Sequence, residues 1–259
     1  MKILVCVKQV PDSSDTLAID ERTGQIVFKA STVFRMNRYD EFALEEALLI
    51  KGKFPGTSVH ALSFGPERAG TTVRRAIEMG ADHGVHILFT PEIYVSPFNT
   101  AWFIASYARN RDYDLIMAGV MAEDNMACQT GQLIAALLDL PYATSVISTE
   151  YQPEKGVVNV DREIEGGRRL SVQLEMPAVL TIQSGINTPR YPSLSNVLRA
   201  RTQQQEVIKA ECFNVPEIRE ECISVRFPAP VSMGTFIEGS SREKARKLLR
   251  ILHEKNFLS

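Results

Sequence analysis

The chain has 259 residues, 29 of them basic and 31 acidic, for a formal net charge of −2 with histidine neutral. That balance excludes a general electrostatic pull toward nucleic acid or an anionic membrane, and the 44% hydrophobic content is ample for a sizeable core. No apolar run approaches the roughly 20 residues needed to span a bilayer, and Cys6, Cys128, Cys212 and Cys222 form no C-x-x-C pair, so neither a zinc site nor a disulfide framework is expected.

The length suits one large α/β domain or one domain with an appendage. Residues 2–8, KILVCVK, are a continuous apolar run that predicts a buried first strand. The run ends at Lys8 with no cleavage site after it, so it does not read as a signal segment, and a cytoplasmic location is expected. Residues 17–29 predict a small hairpin with Gly24 in its turn. Residues 37–53 predict a helix, with Asn37 as candidate N-cap, acids in the first turns and lysines in the last. Its apolar positions Tyr39, Ala43, Ala47 and Ile50 fall on one stripe. A strand at 58–64 and a helix closed by Gly80 follow, then a strand at 83–89. His83 and His86 are read as straddling that helix-to-strand turn, as surface or packing histidines rather than metal ligands. A helix at 99–110 and a buried strand at 114–119 precede a polar, acidic loop, which enters an apolar helix ending before Pro141.

The pattern then changes. Residues 145–176 show period-2 stretches broken by Glu154-Lys155-Gly156 and by Gly166-Gly167, which predicts antiparallel strands joined by hairpins. Residues 177–183 return as a sheet strand. Beyond Gly185 periodicity is weak until residues 240–257, a helix with a capping box from Ser240 to Glu243. The expected architecture is a doubly wound, mostly parallel α/β sheet of Rossmann-like type with antiparallel hairpins over residues 1–185. Residues 186–259 form an extended C-terminal arm, lacking a core of its own up to residue 239, that must pack on something else.

Three turns are expected at the carboxyl ends of strands: Lys8 to Pro11, Phe64-Gly65-Pro66, and Gly119 onward. In a doubly wound sheet such loops converge on one crevice. The stretch AGVMAEDNMACQTGQLIAAL, residues 118–137, contains no lysine or arginine and no glycine-rich fingerprint. A phosphate there would rest on unpaired N–H groups where the helix begins near Gln129. Thr130 would add a hydroxyl, Gly131 would remove a side chain where the ligand crowds, and Asp124 could cap the turn. Read locally, the same residues also make a plain amphipathic helix behind a polar loop. A dinucleotide-binding dehydrogenase and a phosphate-loop NTPase are both disfavoured, because neither G-x-G-x-x-G nor G-x-x-x-x-G-K-[ST] is present.

Six segments resemble one family in order: ILVCVKQVPD at the start, MNRYDEFALEEAL (36–48), ALSFGPERAGTTVRRAIEMGADHGVHI (61–87), the 118–137 stretch, VDREIEGGRRLSVQLEMPAVLTI (160–182) and NTPRYPSLSNVLRARTQQQEVI (187–208). Through them the chain resembles the β subunit of electron transfer flavoproteins. The resemblance implies a heterodimer with an α subunit that holds most of one redox-active FAD, on which the C-terminal arm packs. It implies a structural AMP in this subunit, an acyl-CoA dehydrogenase as electron donor and a quinone oxidoreductase or other acceptor. Carried over by motif, the AMP site comprises Cys6, Asn37, Arg38, Tyr39, Asp40, Phe64, Gly119, Val120, Met121, Ala122, Glu123, Asp124, Asn125, Met126, Ala127, Cys128, Gln129 and Thr130. The backbone of Asn125 and of Ala127 to Thr130 would hold the phosphate. The partner-recognition segment is Pro189, Arg190, Tyr191, Pro192, Ser193, Leu194, Ser195 and Asn196, with Leu194 as the apolar anchor.

The match departs at two places. Family members commonly read G-[KR]-Q-A-I-D where this chain reads GVMAED, so Val120 and Met121 replace the basic residue and the glutamine while Asp124 is kept. The family's N-P-[FY] is N-R-Y here, with Arg38 for proline. A bifurcating subclass holds a second FAD instead of AMP and reads GDTAQVGP where this chain has NMACQTGQ, so AMP is the expectation and the second FAD the alternative. A non-redox nucleotide-sensing module of the same fold is a further alternative. No residue presents acid–base or nucleophilic chemistry, so the chain is expected to be an electron-carrier subunit rather than an enzyme, supplying position and electrostatics to a cofactor.

Overall fold

The computed structural model describes residues 1–14, 17–20, 22–90, 95–214, 220–229 and 234–258. Parts of the expected arm, 215–219 and 230–233, lie outside the described residues, as does Glu21 of the expected hairpin. The apolar runs become strands and the helical periods become helices, in the order read from the chain. The first group is β1 (Lys2–Cys6), β2 (Gln9–Pro11), the hairpin β3 (Ala18–Asp20) and β4 (Gln25–Val27), β5 (Phe34–Met36) and α1 (Arg38–Lys53). Then come β6 (Ser58–Gly65), α2 (Gly70–Met79), β7 (His83–Leu88), α3 (Pro97–Ala108), β8 (Leu115–Gly119) and α4 (Thr130–Leu138). The antiparallel run is β9 (Tyr142–Gln152), β10 (Val157–Ile164) and β11 (Arg168–Glu175), followed by β12 (Ala178–Ile182), α5 (Leu194–Thr202), β13 (Glu206–Lys209) and α6 (Ser241–Glu254).

A nine-stranded sheet carries the order β11-β10-β9-β12-β8-β1-β6-β7-β13. From β13 to β9 every neighbouring pair is parallel, and the β9–β10 and β10–β11 pairs are antiparallel. The chain steps from β1 to β6 and β7 on one side, then crosses β1 to place β8 and β12 on the other. The strand order therefore reverses between β1 and β8, and the open crevice of such a sheet lies at the carboxyl ends of those two strands.

Both faces of the sheet are covered, which is why its parallel strands read as continuous apolar runs. Ile3, Val5 and Val7 point into a core shared with Phe42, Leu44 and Leu48 of α1. Leu4 and Cys6 point the other way, into a core shared with Phe103 and Ile104 of α3 and Ile134 of α4.

Three expectations need correction. Helix α1 is not a one-stripe helix: besides its apolar positions, Asp40, Glu45 and Glu46 are buried, because each carboxylate has partners from elsewhere in the chain. His83 and His86 do not straddle a turn, since both lie in β7; His86 is buried and its Nε2 sits 3.1 Å from the Gly65 carbonyl oxygen. The two compact units divide at 224/225, not at 185/186. The cause is that β13 pairs in parallel with β7 at the sheet edge and Ala200 of α5 packs with Val73 and Ile77 of α2. The second unit holds α6, whose capping box between Ser240 and Glu243 forms as read from the sequence, and none of its described residues is buried.

Candidate functional site

At the switch point, the first turn of α1 sits against the ends of β1 and β8. Asp40 is buried there and reaches both: Oδ2 accepts the N–H of Lys8, just past β1, at 2.8 Å and Oδ1 accepts the N–H of Gly119, the last residue of β8, at 2.8 Å. Burial pushes its carboxyl up to about 7, against the opposing pull of those two N–H groups, a hydrogen bond from the Asn37 side chain and the Lys8 charge. Burial, and then the Asp40 charge, also pushes the Cys6 thiol up, so Cys6 is an inert packing group at the end of β1. Only glycine fits at 119, because a Cβ would come within 2.5 Å of the Tyr39 Cβ and 2.7 Å of its carbonyl carbon. Gly119 is thus required by the close approach of α1.

Asn37 occupies the N-cap position of α1 but gives no side-chain cap. Its amide instead bridges to the loop after β8, donating to the Met121 carbonyl at 2.9 Å and accepting the Glu123 N–H at 3.1 Å. The cap comes from 85 residues away, where Glu123 accepts the Arg38 N–H at 3.1 Å. Its other oxygen pairs with Arg35 at 3.1 Å. Arg38 differs from the proline of the family pattern in having an N–H, and Glu123 takes it. The Arg38 side chain itself is exposed. Asp124 pairs with the Lys8 ammonium at 2.7 Å. The acidic loop therefore does have basic partners, but they come from the β1 end and from β5, and this is what a local reading of 118–137 missed.

Val120 continues the sheet, its N–H donating to the Ile182 carbonyl at 2.9 Å. Beyond Ala122, which accepts the Met126 N–H at 2.8 Å, residues Asp124, Asn125 and Met126 are exposed, as are Cys128 and Gln129. Asn125 Oδ1 accepts the Ala127 N–H at 3.2 Å. Met126 and Cys128 adopt left-handed backbone, φ 50° and 54°, which is uncommon for such side chains. Gln129 stands at the N-cap of α4 without a side-chain cap, so the first N–H groups of Thr130 onward face the loop. Gln132 donates to the Cys128 carbonyl at 2.8 Å, while its Oε1 is buried with no partner among the described residues. Gly131 is corrected from a ligand-crowding position to a packing one: a Cβ there would lie 2.2 Å from Thr181 Cγ2 on β12.

Phe64, next to last in β6, stacks on Phe103 and Phe89 at 4.8 and 5.3 Å between centroids. Those two rings are only 5.8 Å apart, so they share one side of Phe64 rather than sandwiching it, and its other face carries neither. The crevice can accept an adenine nucleotide on these terms: uncapped main-chain donors at a helix start suit one phosphate, and a ring face suits a base. The acids beside it are paired, so they do not oppose a single phosphate. Among the described residues no cluster of three or more His, Cys, Asp or Glu side chains could hold a metal ion.

The segment 189–196 lies elsewhere on the surface and is built differently from a proline-stiffened loop. Arg190 is not a free partner contact: its guanidinium bonds both oxygens of the buried Glu45, at 2.8 Å each for Nε to Oε2 and Nη2 to Oε1. Upstream, Asn187 donates to Glu46 at 3.1 Å and to the Phe42 carbonyl at 3.0 Å. Ser193 caps α5, accepting the Asn196 N–H at 3.3 Å. Leu194 is therefore the first residue of a helix, 75% exposed, with Leu198 one turn on at 52% and Tyr191 at 92%. Leu194 does not tuck back beneath its own loop.

A cavity of about 260 Å³ lies away from both regions, lined among others by Lys2, His60, His83, Tyr107, Arg111 and Tyr113. It opens at the amino ends of the strands, where Lys2 begins β1 and His83 begins β7. No described helix is long and apolar enough to cross a membrane.

The chain matches the family model described as "Electron transfer flavoprotein domain" over residues 25–212. It is 38% identical over 204 residues to the mitochondrial electron transfer flavoprotein subunit beta of Arabidopsis thaliana, covering 78% of this chain and 79% of that one. To the electron transfer flavoprotein subunit beta of Homo sapiens it is 34% identical over 242 residues, 92% of this chain and 93% of the relative. The corresponding protein of Methylophilus methylotrophus is 32% identical over 261 residues, 98% of each chain. On a family match spanning most of its length and on these identities, the chain belongs to the β-subunit branch of the electron transfer flavoprotein family.

Proposed function

We propose that the chain is the β subunit of a heterodimeric electron carrier that holds AMP in the β1/β8 crevice. With its α subunit it would carry electrons from an acyl-CoA-type dehydrogenase to a quinone reductase or other acceptor. The observation that carries the nucleotide reading is the start of α4, where main-chain donors without a side-chain cap face a loop whose acids are already paired by Lys8, Arg35 and the Arg38 N–H. The FAD, held mainly by the α subunit in this reading, supplies the redox chemistry when bound. The residues of this chain orient: Asp40, Asn37 and Gly119 fix the crevice, the backbone of Asn125 and of Ala127 to Thr130 takes the phosphate, and Phe64 takes the base.

The exposed Leu194, mounted on a helix and braced by Arg190, supports a docking tip for the dehydrogenase. The unit from Val225 to Ser259 buries none of its described residues, which supports packing of that arm on the α subunit. The proposal keeps the cytoplasmic location expected from the sequence. The test is to denature the purified complex and identify what it releases: one FAD and one AMP per heterodimer support the reading. Two FAD and no AMP would refute it in favour of the bifurcating type.

A further inference from the structure

We infer that Asp40 is a positioning residue, a carboxylate clasp that sets the spacing of the β1 and β8 ends, and that the crevice keeps its nucleotide-holding shape only while this carboxylate is ionised. The inference rests on the AMP reading for its ligand, but the clasp is a property of the chain alone. Resemblance would make Asp40 a ligand contact. The geometry gives it a structural task first, since Oδ1 accepts the Gly119 N–H and Oδ2 the Lys8 N–H.

Gly119 is the last residue of β8 and Lys8 lies two residues past the end of β1, the two strands at which the sheet order reverses, so the clasp links the two sides of the crevice. The second strand end cannot drift toward α1, because at Gly119 even a Cβ is excluded by Tyr39. It can only open away. From Gly119 the chain runs directly into Met121 and Glu123, which hang on Asn37 of the same helix turn, and then into the start of α4. A shift at Gly119 is therefore passed to the loop that would hold the phosphate.

Ionisation matters because the clasp needs two acceptors. A neutral carboxyl keeps one carbonyl acceptor, while its other oxygen becomes an O–H donor facing an N–H donor. The bond from one of the two N–H groups is then weakened, because a hydroxyl oxygen is a poorer acceptor than a carboxylate oxygen. The titratable and charged groups facing Asp40 are the Lys8 ammonium and the Cys6 thiol from the β1 side; β8 presents only the Gly119 backbone, and α1 adds the neutral Asn37 side chain. Burial places the carboxyl near 7, within the ordinary working range of pH. The sign follows: the clasp is closed above this value and released as pH falls through it.

The test compares the full chain in its purified complex with Asp40→Asn, which keeps shape but replaces one acceptor oxygen with a donor. AMP affinity is measured by calorimetry from pH 8 to pH 6, and amide exchange at Lys8 and Gly119 is followed without nucleotide. The phosphate's own ionisation near 6 is common to both proteins, so the difference between them is read. As pH falls, AMP affinity should drop in the unaltered protein by about tenfold or more relative to any drop in Asp40→Asn, the worth of one hydrogen bond to a charged group. Asp40→Asn should bind weakly at every pH, with faster exchange at one or both amides. Equal AMP affinity and equal exchange in the two proteins would overturn the clasp. If the unaltered protein binds no AMP, the nucleotide reading fails, and exchange at Lys8 and Gly119, taken relative to the intrinsic rate at each pH, alone decides the clasp: protection that falls below pH 7 supports it, and pH-independent protection overturns it. Where Asp40→Asn fails to fold, the pH series on the unaltered protein decides by the same criterion.

Discussion

Leu194→Ala is the sharpest test of the docking tip. Fully burying a leucine side chain is worth about 1.5–3 kcal/mol. Leu194 is 75% exposed, so a partner pocket can still remove about three quarters of that surface from water. The substitution should cost about 1.1–2.2 kcal/mol of docking energy, or roughly 6- to 40-fold in Kd. The fold should not notice: position 194 opens a helix whose cap is the preceding Ser193, and alanine is the better helix former, so stability should stay within about 0.5 kcal/mol. Leu198→Ala is the internal comparison, since Leu198 lies one turn on at 52% exposure and should cost less if the same partner pocket covers both. The assay is electron transfer from the cognate dehydrogenase at varied carrier concentration, alongside thermal melting and nucleotide content. The loss should appear at limiting concentration and vanish near saturation, because the flavin is untouched. A lowered melting temperature with intact dehydrogenase coupling would refute the reasoning and make Leu194 a packing residue.

Three further outcomes follow from particular contacts. Gly131→Ala should destabilise the fold by about 1–3 kcal/mol in denaturant titration, because its Cβ would meet Thr181; a stable protein that lost only nucleotide would return Gly131 to the ligand. Arg190→Ala leaves the Glu45 carboxylate, 5% exposed, without its cation and should cost about 1–3 kcal/mol, less than for a fully buried pair because Arg190 is itself 42% exposed. Adding Glu45→Gln should recover part of that loss, and no recovery would mean that the pair is not the cause. Thr130→Ala should weaken AMP binding by about 0.5–1.5 kcal/mol, one neutral hydrogen bond, and an unchanged Kd would take the hydroxyl out of the site.

Strand and helix identity was legible because the parallel strands are buried on both faces and so read as unbroken apolar runs. The nearness of the three loops was legible too, because the strands they follow, β1, β6 and β8, are parallel neighbours in the sheet. What escaped the sequence was every contact that spans it. Asn37 reads as an N-cap because capping is a local rule, yet its side chain is turned to Met121 and Glu123, and only the folded chain brings those positions to position 37. Lys8 reads as the end of a strand, and its pairing with Asp124 lies 116 residues away. Gly131 reads the same whether the crowding neighbour is a ligand or Thr181. Residues 186–212 read as an arm because a four-residue edge strand such as β13 is too short for a period to declare itself.

The buried acids of α1 show why those missed contacts matter. Asp40 holds the ends of β1 and β8, Glu45 holds Arg190, and Glu46 accepts both Thr149 of β9 and Asn187. Buried ionic and charge-assisted contacts of this kind are weak evidence for net stability, because desolvation offsets most of their attraction. Apolar residues of similar volume could cover the same surface of α1. They could not discriminate among partners, since an apolar surface accepts any register of similar shape, whereas a carboxylate oxygen accepts only a donor placed within bonding distance. Each of the three acids selects donors from a segment remote in sequence, up to 145 residues away for Arg190. One helix thereby fixes both the crevice proposed to hold AMP and the segment that presents Leu194. The two regions share no contact chemistry, but they share this reference frame, so the precision of each depends on α1 staying in register with the sheet.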